Sequence, residues 1–171
     1  MSSKKTHGDS SFRQSLQAGM RIPDASPRTR PAAAARQVHH ADTPPLVLVA
    51  EDVPEMRSLL ATALRQAGYR AKECCDGWDL LNRLKSYILP MPLEEKVDLV
   101  VSDIRMPGLT GLEVLEGAHD AVSFPPVILI TAFGDEETHR RAAEQGAAAM
   151  IDKPFDIDEF VRIAQSIVPV P

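Results

Sequence analysis

The sequence predicts an α/β fold, a doubly wound sheet of five parallel strands with helices on both faces. Three observations predict it. Five short runs of aliphatic, often β-branched residues recur between residues 46 and 151. The stretches between them repeat their apolar residues at helical spacing, and parallel strands need crossovers of that kind. Most of the runs also end in charged or hydroxyl residues, at the edge where open α/β sheets bind ligands. The pattern leaves strand order open, but the doubly wound order 2-1-3-4-5 would set the third strand between the first and fourth.

Composition narrows the class. Of the 171 residues, 44% are hydrophobic and 25% charged, which excludes a wholly disordered chain. No apolar run approaches the roughly 20 residues that span a bilayer. Lys4 and Lys5 are not followed by an apolar stretch, so no secretory signal is expected. Cys74 and Cys75 are adjacent, and neighbours on a strand point to opposite faces. Both are therefore expected to be reduced thiols in a cytoplasmic protein.

Residues 1–45 carry seven basic side chains against Asp9, Asp24 and Asp42, a net +4, whereas the remainder carries −9. This tail is rich in Ser, Ala, Arg and Pro, without sustained apolar periodicity, and is expected to be disordered. At most Ser11 to Ala18 would form a fleeting helical turn, and Met20 is a second candidate start. A folded domain is expected over residues 46–171.

Leu46 to Ala50 reads as a buried strand. Pro54 suits the first turn of a helix, in which Met56, Leu59, Leu60, Ala63, Leu64 and Ala67 repeat up to Gly68. Tyr69 to Cys74 is a second, less regular strand. Asp76-Gly77 opens a helix with Trp78, Leu80, Leu81, Leu84 and Ile88 apolar, and Pro90 and Pro92 end it. Trp78 is expected to be core or half-buried packing, the commoner use of a large aromatic. Leu89 to Lys96 forms a long loop.

Leu99 to Ser102 is an apolar run ending at Asp103, and Pro107-Gly108 turns the chain. Gly111 starts a helix with Leu112, Val114, Leu115 and Ala118 inward. Val127 to Ile130 is the most apolar strand, ending at Thr131. Asp135 to Gln145 is a charged helix, Ala147 to Ile151 a strand of small residues, and Asp156 caps a last helix. After it only Pro169-Val170-Pro171 remain, so no second folded domain is expected.

In a parallel sheet the carboxyl ends of the strands share one edge. Glu51-Asp52, Asp103, Thr131 and Lys153-Pro154 would then meet there. Each has an ordinary reading. The acid pair could serve a helix dipole, Asp103 a turn, Thr131 its own backbone, and Lys153 could be solvated.

The set of motifs resembles the receiver domain of bacterial two-component response regulators, over Leu46 to Val168. The residues that carry the resemblance are Glu51-Asp52, Asp103-Ile104-Arg105-Met106-Pro107-Gly108, Thr131-Ala132 and Lys153-Pro154-Phe155, with Gly111 in support. The resemblance implies a flavodoxin-like (βα)5 fold with Asp103 as phosphoacceptor. The donor would be a sensor histidine kinase or a histidine phosphotransfer protein. By similarity Asp52 and Asp103 hold Mg²⁺ directly, Glu51 through water, and the backbone carbonyl of Arg105 completes the set. Crowded carboxylates repel one another, and an oxygen-only donor set suits Mg²⁺. Lys153 would offset charge on the phosphoryl oxygens and Thr131 would donate to one of them. Ala132 would leave the approach open and Pro154 would hold Lys153, through a peptide bond that is usually cis in the family. With no downstream domain expected, a stand-alone regulator read by another protein is implied.

Two features depart from the family. Met150 stands where an aromatic switch residue is usual, three residues before Lys153. Arg105 and Phe133 occupy rim positions, where they would shield the phosphoryl group and exclude water, implying a long-lived phosphorylated form. The face bearing His139, Arg140, Arg141 and Glu144 is one that receivers use for partners, although a charged face is commonly just solvated. The competing functions are a pseudo-receiver that binds without phosphorylation, nucleic-acid binding through the basic tail, and an aspartyl phosphatase. The last lacks its partner aspartate, because Arg105 stands there.

Overall fold

A computed structural model describes residues 43–88, 95–117 and 123–171. The basic tail to residue 42, most of the predicted long loop, and Ala118 lie outside the described residues. Five strands alternate with five helices: β1 (Leu46–Ala50), α1 (Pro54–Gln66), β2 (Arg70–Cys74), α2 (Gly77–Ile88), β3 (Leu99–Asp103), α3 (Gly111–Gly117), β4 (Val127–Thr131), α4 (Glu136–Glu144), β5 (Ala149–Asp152) and α5 (Ile157–Ile167). All pairings are parallel and the order is β2-β1-β3-β4-β5.

Every residue of β1, β3 and β4 is buried, as continuous apolar runs require in a sheet covered on both faces. The edge strands β2 and β5 are only partly buried. Strand alternation divides the core into two layers. Leu46, Leu48, Val100 and Leu129 pack with Leu80 and Leu84 of α2, Leu112 and Leu115 of α3, and Ala142 of α4. Val47, Val49, Val101 and Ile130 pack with Leu60 and Leu64 of α1 and with Phe160 and Ala164 of α5. Phe160, fully buried, is the largest of these side chains. Removing its ring would cost about 3–5 kcal/mol through lost burial and the cavity left behind.

Helix starts follow the local chemistry. Pro54 opens α1, and Asp156 accepts from the amides of Asp158 and Glu159 at 2.9 and 3.0 Å. Asp135 is the cap of α4 rather than its first residue, accepting from the Thr138 amide at 2.8 Å. At α3 a reciprocal capping box joins Thr110 and Glu113, three residues apart, and fixes the helix start at Gly111. Two strand starts also shift. Tyr69 precedes β2 and is tied back to α1, its amide donating to the Leu64 carbonyl, and its hydroxyl donates to the Val168 carbonyl at 2.6 Å. Ala147 is still tied to α4, donating to Ala142, so β5 begins at Ala149.

Two apolar assignments are corrected. Leu59 is exposed, because the inward stripe of α1 runs through Leu60, Ala61 and Leu64 and turns Leu59 aside. Trp78 is 55% exposed instead of forming core. Its indole lies over the loop after β3, with ring atoms 2.3 and 2.5 Å from where a Cβ on Gly108 would stand. Gly108 also has φ +84°, so both its backbone and the indole require glycine there.

Candidate functional site

The register builds the site. Ala50 is level with Ser102, so Glu51, one residue on, comes beside Asp103, while Asp103 is level with Ile130 and Thr131 with Asp152. Lys153 follows directly, and its peptide bond to Pro154 is cis. All the predicted strand-end residues therefore converge.

Asp103 and Glu51 are buried side chains and Asp52 is exposed. One oxygen from each of the three carboxylates can be chosen so that all lie within 4.8 Å of one another. Lys153 Nζ donates to Glu51 Oε2 at 2.7 Å and to Asp103 Oδ2. Asp103 Oδ1 accepts from the Arg105 amide at 2.8 Å, and Glu51 Oε1 from the Val53 amide at 3.3 Å. Gly111 brings the start of α3 against this strand end: a Cβ there would stand 2.6 Å from the Asp103 carbonyl and 2.8 Å from Ser102 Oγ.

The electrostatics leave the site short of positive charge. Burial pushes the Glu51 carboxyl up, the Asp103 charge adds to this, and Lys153 and the Val53 amide offset it only in part. For Lys153 burial is the largest single influence and acts downward, yet the bonds to Asp103 and Glu51 outweigh it and raise the ammonium. One ammonium thus faces three carboxylates, two of them buried. A divalent cation bound by oxygen fits that surplus, and the donor set contains neither His nor Cys.

The hydroxyl side is looser. Thr131 is buried, and its Oγ1 accepts from the Phe133 amide at 3.1 Å, leaving the hydroxyl proton to donate elsewhere. Ala132, Phe133, Gly134 and Asp135 are all exposed. The Arg105 guanidinium carbon lies 4.5 Å from the Phe133 ring centre, so the two predicted rim residues cover one another. Met150 is half-buried against the α2–α4 layer of the core. A groove of ≈ 360 Å³, lined by Met56, Leu59, Lys153, Pro154, Phe155 and Ile157, opens beside the ammonium.

On α4, Arg140 pairs with Glu137 and Glu144 of its own helix, while His139 Nε2 lies 3.0 Å from an Asp152 oxygen. Much of that face is therefore internally paired. One residue at the site was missed from sequence: Arg57, whose Nη1 donates to the Glu51 carbonyl at 2.7 Å. Its place early in α1, six residues after Glu51, is a weak signal, because arginines are common on exposed helix turns. Among the described residues no helix is long and apolar enough to cross a membrane, and both cysteines are free thiols.

Residues 47–165 match the family model described as the response regulator receiver domain. The chain is 34% identical over 123 residues to the DNA-binding transcriptional regulator NtrC of Escherichia coli K12, covering 72% of this chain but 24% of that protein. The chain thus spans about a quarter of that relative's length. Similarity to the sporulation initiation phosphotransferase F of Bacillus subtilis is 28% over 124 residues, covering 72% of this chain and 94% of that one. The structure of the receiver domain of a Francisella response regulator aligns with TM-score 0.61 and 27% identity, over 70% of this chain and 93% of that one.

Proposed function

The chain belongs to the response regulator receiver domain family, and from that premise we propose that it accepts a phosphoryl group on Asp103 from a histidine of a sensor kinase or phosphotransfer protein. Asp103 attacks phosphorus, the bond to the donor imidazole nitrogen breaks, and an acyl phosphate forms on the carboxylate. Glu51, Asp52 and Asp103, with the Arg105 carbonyl, would hold Mg²⁺, which supplies charge neutralisation at the transferring group when bound. Lys153 holds Asp103 and Glu51 in place and meets the charge gathering on the phosphoryl oxygens. Thr131 has a proton left to donate to one of those oxygens. Ala132 and the groove beside Lys153 leave space for the donor to approach.

The observation that carries this reading is Lys153 bridging Glu51 and Asp103, with the Asp52 carboxylate close by. A structural ion pair would not require a third carboxylate at the same point. On this reading the protein is a signalling component and not an enzyme with an external substrate, although it assists its own phosphorylation and hydrolysis. It would be read through binding of another protein, in a reducing cytoplasm that suits the two free thiols. The relay role resembles that named for sporulation initiation phosphotransferase F.

The test is to incubate the protein with Mg²⁺ and a small phosphodonor and to measure its mass. The expected result is a gain of one phosphoryl group, absent in Asp103→Asn and absent when Mg²⁺ is chelated. A gain that persists in Asp103→Asn, or no gain with any donor, would overturn the proposal, and the second outcome would favour a pseudo-receiver.

A further inference from the structure

Glu51 and Asp52 lie in the short turn between β1 and α1, and Arg57 reaches back to that turn from α1. Its Nη1 donates to the Glu51 carbonyl at 2.7 Å and stands 3.5 Å from the Asp52 carbonyl. The side chain is 16% exposed, and its Nε lies 3.6 Å from Glu73 Oε2 on β2. The other Glu73 oxygen accepts from Arg65 Nη2 at 3.1 Å. Arg57 is therefore held at both ends, by a carboxylate on the neighbouring strand and by the backbone of the acid pair.

This matters most for Asp52. Its carboxylate makes no hydrogen bond or ion pair among the described residues, so the direction of its side chain depends on its backbone. We propose that Arg57, oriented by Glu73, is a positioning residue that holds the Glu51–Asp52 turn so that its carboxylates converge with Asp103 on one divalent cation. The proposal rests on the cation-binding reading of that cluster.

Arg57 has two opposed effects on a cation, and their signs differ. As a positive charge it repels the ion, so a charge effect alone makes Arg57→Gln bind the ion more tightly and leaves Arg57→Lys unchanged. As a planar fork it holds the ligands, and lysine cannot reproduce that geometry. Positioning therefore weakens binding in both variants. Loss of a group that orients metal ligands commonly costs about 10- to 100-fold in affinity.

The experiment titrates Mg²⁺ alone into the full chain by calorimetry, with no phosphodonor, and follows folding by circular dichroism. Arg57→Gln is expected to raise the Kd about tenfold and Arg57→Lys to raise it several-fold. Lys85→Gln, which removes an exposed charge in the last turn of α2 and touches neither Glu73 nor the β1–α1 turn, is expected to stay within about twofold. If Arg57→Gln fails to fold, Arg57→Lys decides. Wild-type affinity in Arg57→Lys, or tighter binding in Arg57→Gln, overturns the positioning role while leaving the cation site intact. Failure of the wild-type chain to bind Mg²⁺ overturns the cation-binding reading and the positioning role with it.

Discussion

The two loops flanking Asp103 are held in different ways. The β1–α1 turn carries Glu51, 1% exposed and bonded to Lys153, and is held by Arg57 from α1. The β4–α4 loop is exposed from Ala132 to Asp135, and Phe133 keeps 64% of its surface. That loop is tied by the bond from the Phe133 amide to Thr131 and by the stacking of Arg105 on the ring. Charged bonds to buried carboxylates fix the half that carries the charge. Weaker contacts, each about 1 kcal/mol, hold the half that carries the hydroxyl. The difference assigns holding to the first loop and leaves rearrangement cheap in the second.

The largest expected effect tests the packed half. Lys153→Gln removes the ammonium from two buried carboxylates and should lower stability by on the order of 3 kcal/mol, the low end for breaking a buried pair because Lys153 keeps some exposure. Chemical denaturation without and with Mg²⁺ would measure it, with Mg²⁺ recovering more stability in the variant than in the wild type. An unchanged denaturation midpoint would mean that this half is not held by charge.

An effect absent at neutral pH and confined to alkaline solution comes from beneath the same turn. The Cys74 carbonyl accepts from the Glu51 amide at 3.3 Å, and burial pushes the Cys74 thiol up from 9.0 to about 12. The folded thiol keeps its proton where the unfolded one has lost it, so the folded state binds more protons over that window. Stability from this group is therefore full below pH 9.0 and declines as the pH rises to about 12. The slope would reach about 1.4 kcal/mol per pH unit. Cys74→Ala should flatten this part of the pH–stability curve. An identical curve in the variant would show that the strand end beneath the acid pair is open to water.

The smallest stability effect belongs to the exposed half. Phe133→Ala removes the partner of Arg105 and should change stability by less than about 1 kcal/mol. It should nonetheless shed the phosphoryl group several-fold faster, by admitting water beside Asp103, when loss is followed by mass on isolated protein. Rapid loss from the wild-type chain would overturn the expectation of a long-lived phosphorylated form. A large stability loss in Phe133→Ala would erase the contrast between the loops.

Most of the architecture was legible because its signals are local. The run Val127 to Ile130, Pro54 at a helix start and Asp156 as a cap each act over a few residues. Besides the shifted element starts, two readings of burial failed, one drawn from helical spacing and one from the commoner use of a large aromatic. Leu59 lies off the buried stripe of its helix, and Trp78 covers Gly108 instead of entering the core. At the site, Glu51, Asp52, Asp103, Thr131 and Lys153 were legible because strand ends in a parallel sheet must share an edge. Arg57 was not, because it meets the acid pair through backbone carbonyls, and no side-chain pattern announces those.

By itself the sequence determined the alternation of strands and helices and the identity of the residues ending each strand, since both are written in short-range periodicity and turn chemistry. Tertiary structure decided which of those ends touch. The bonds of Lys153 to Glu51 and Asp103 join residues 102 and 50 positions apart. The strand order and register set those distances, and the burial that comes with them raises the Glu51 carboxyl.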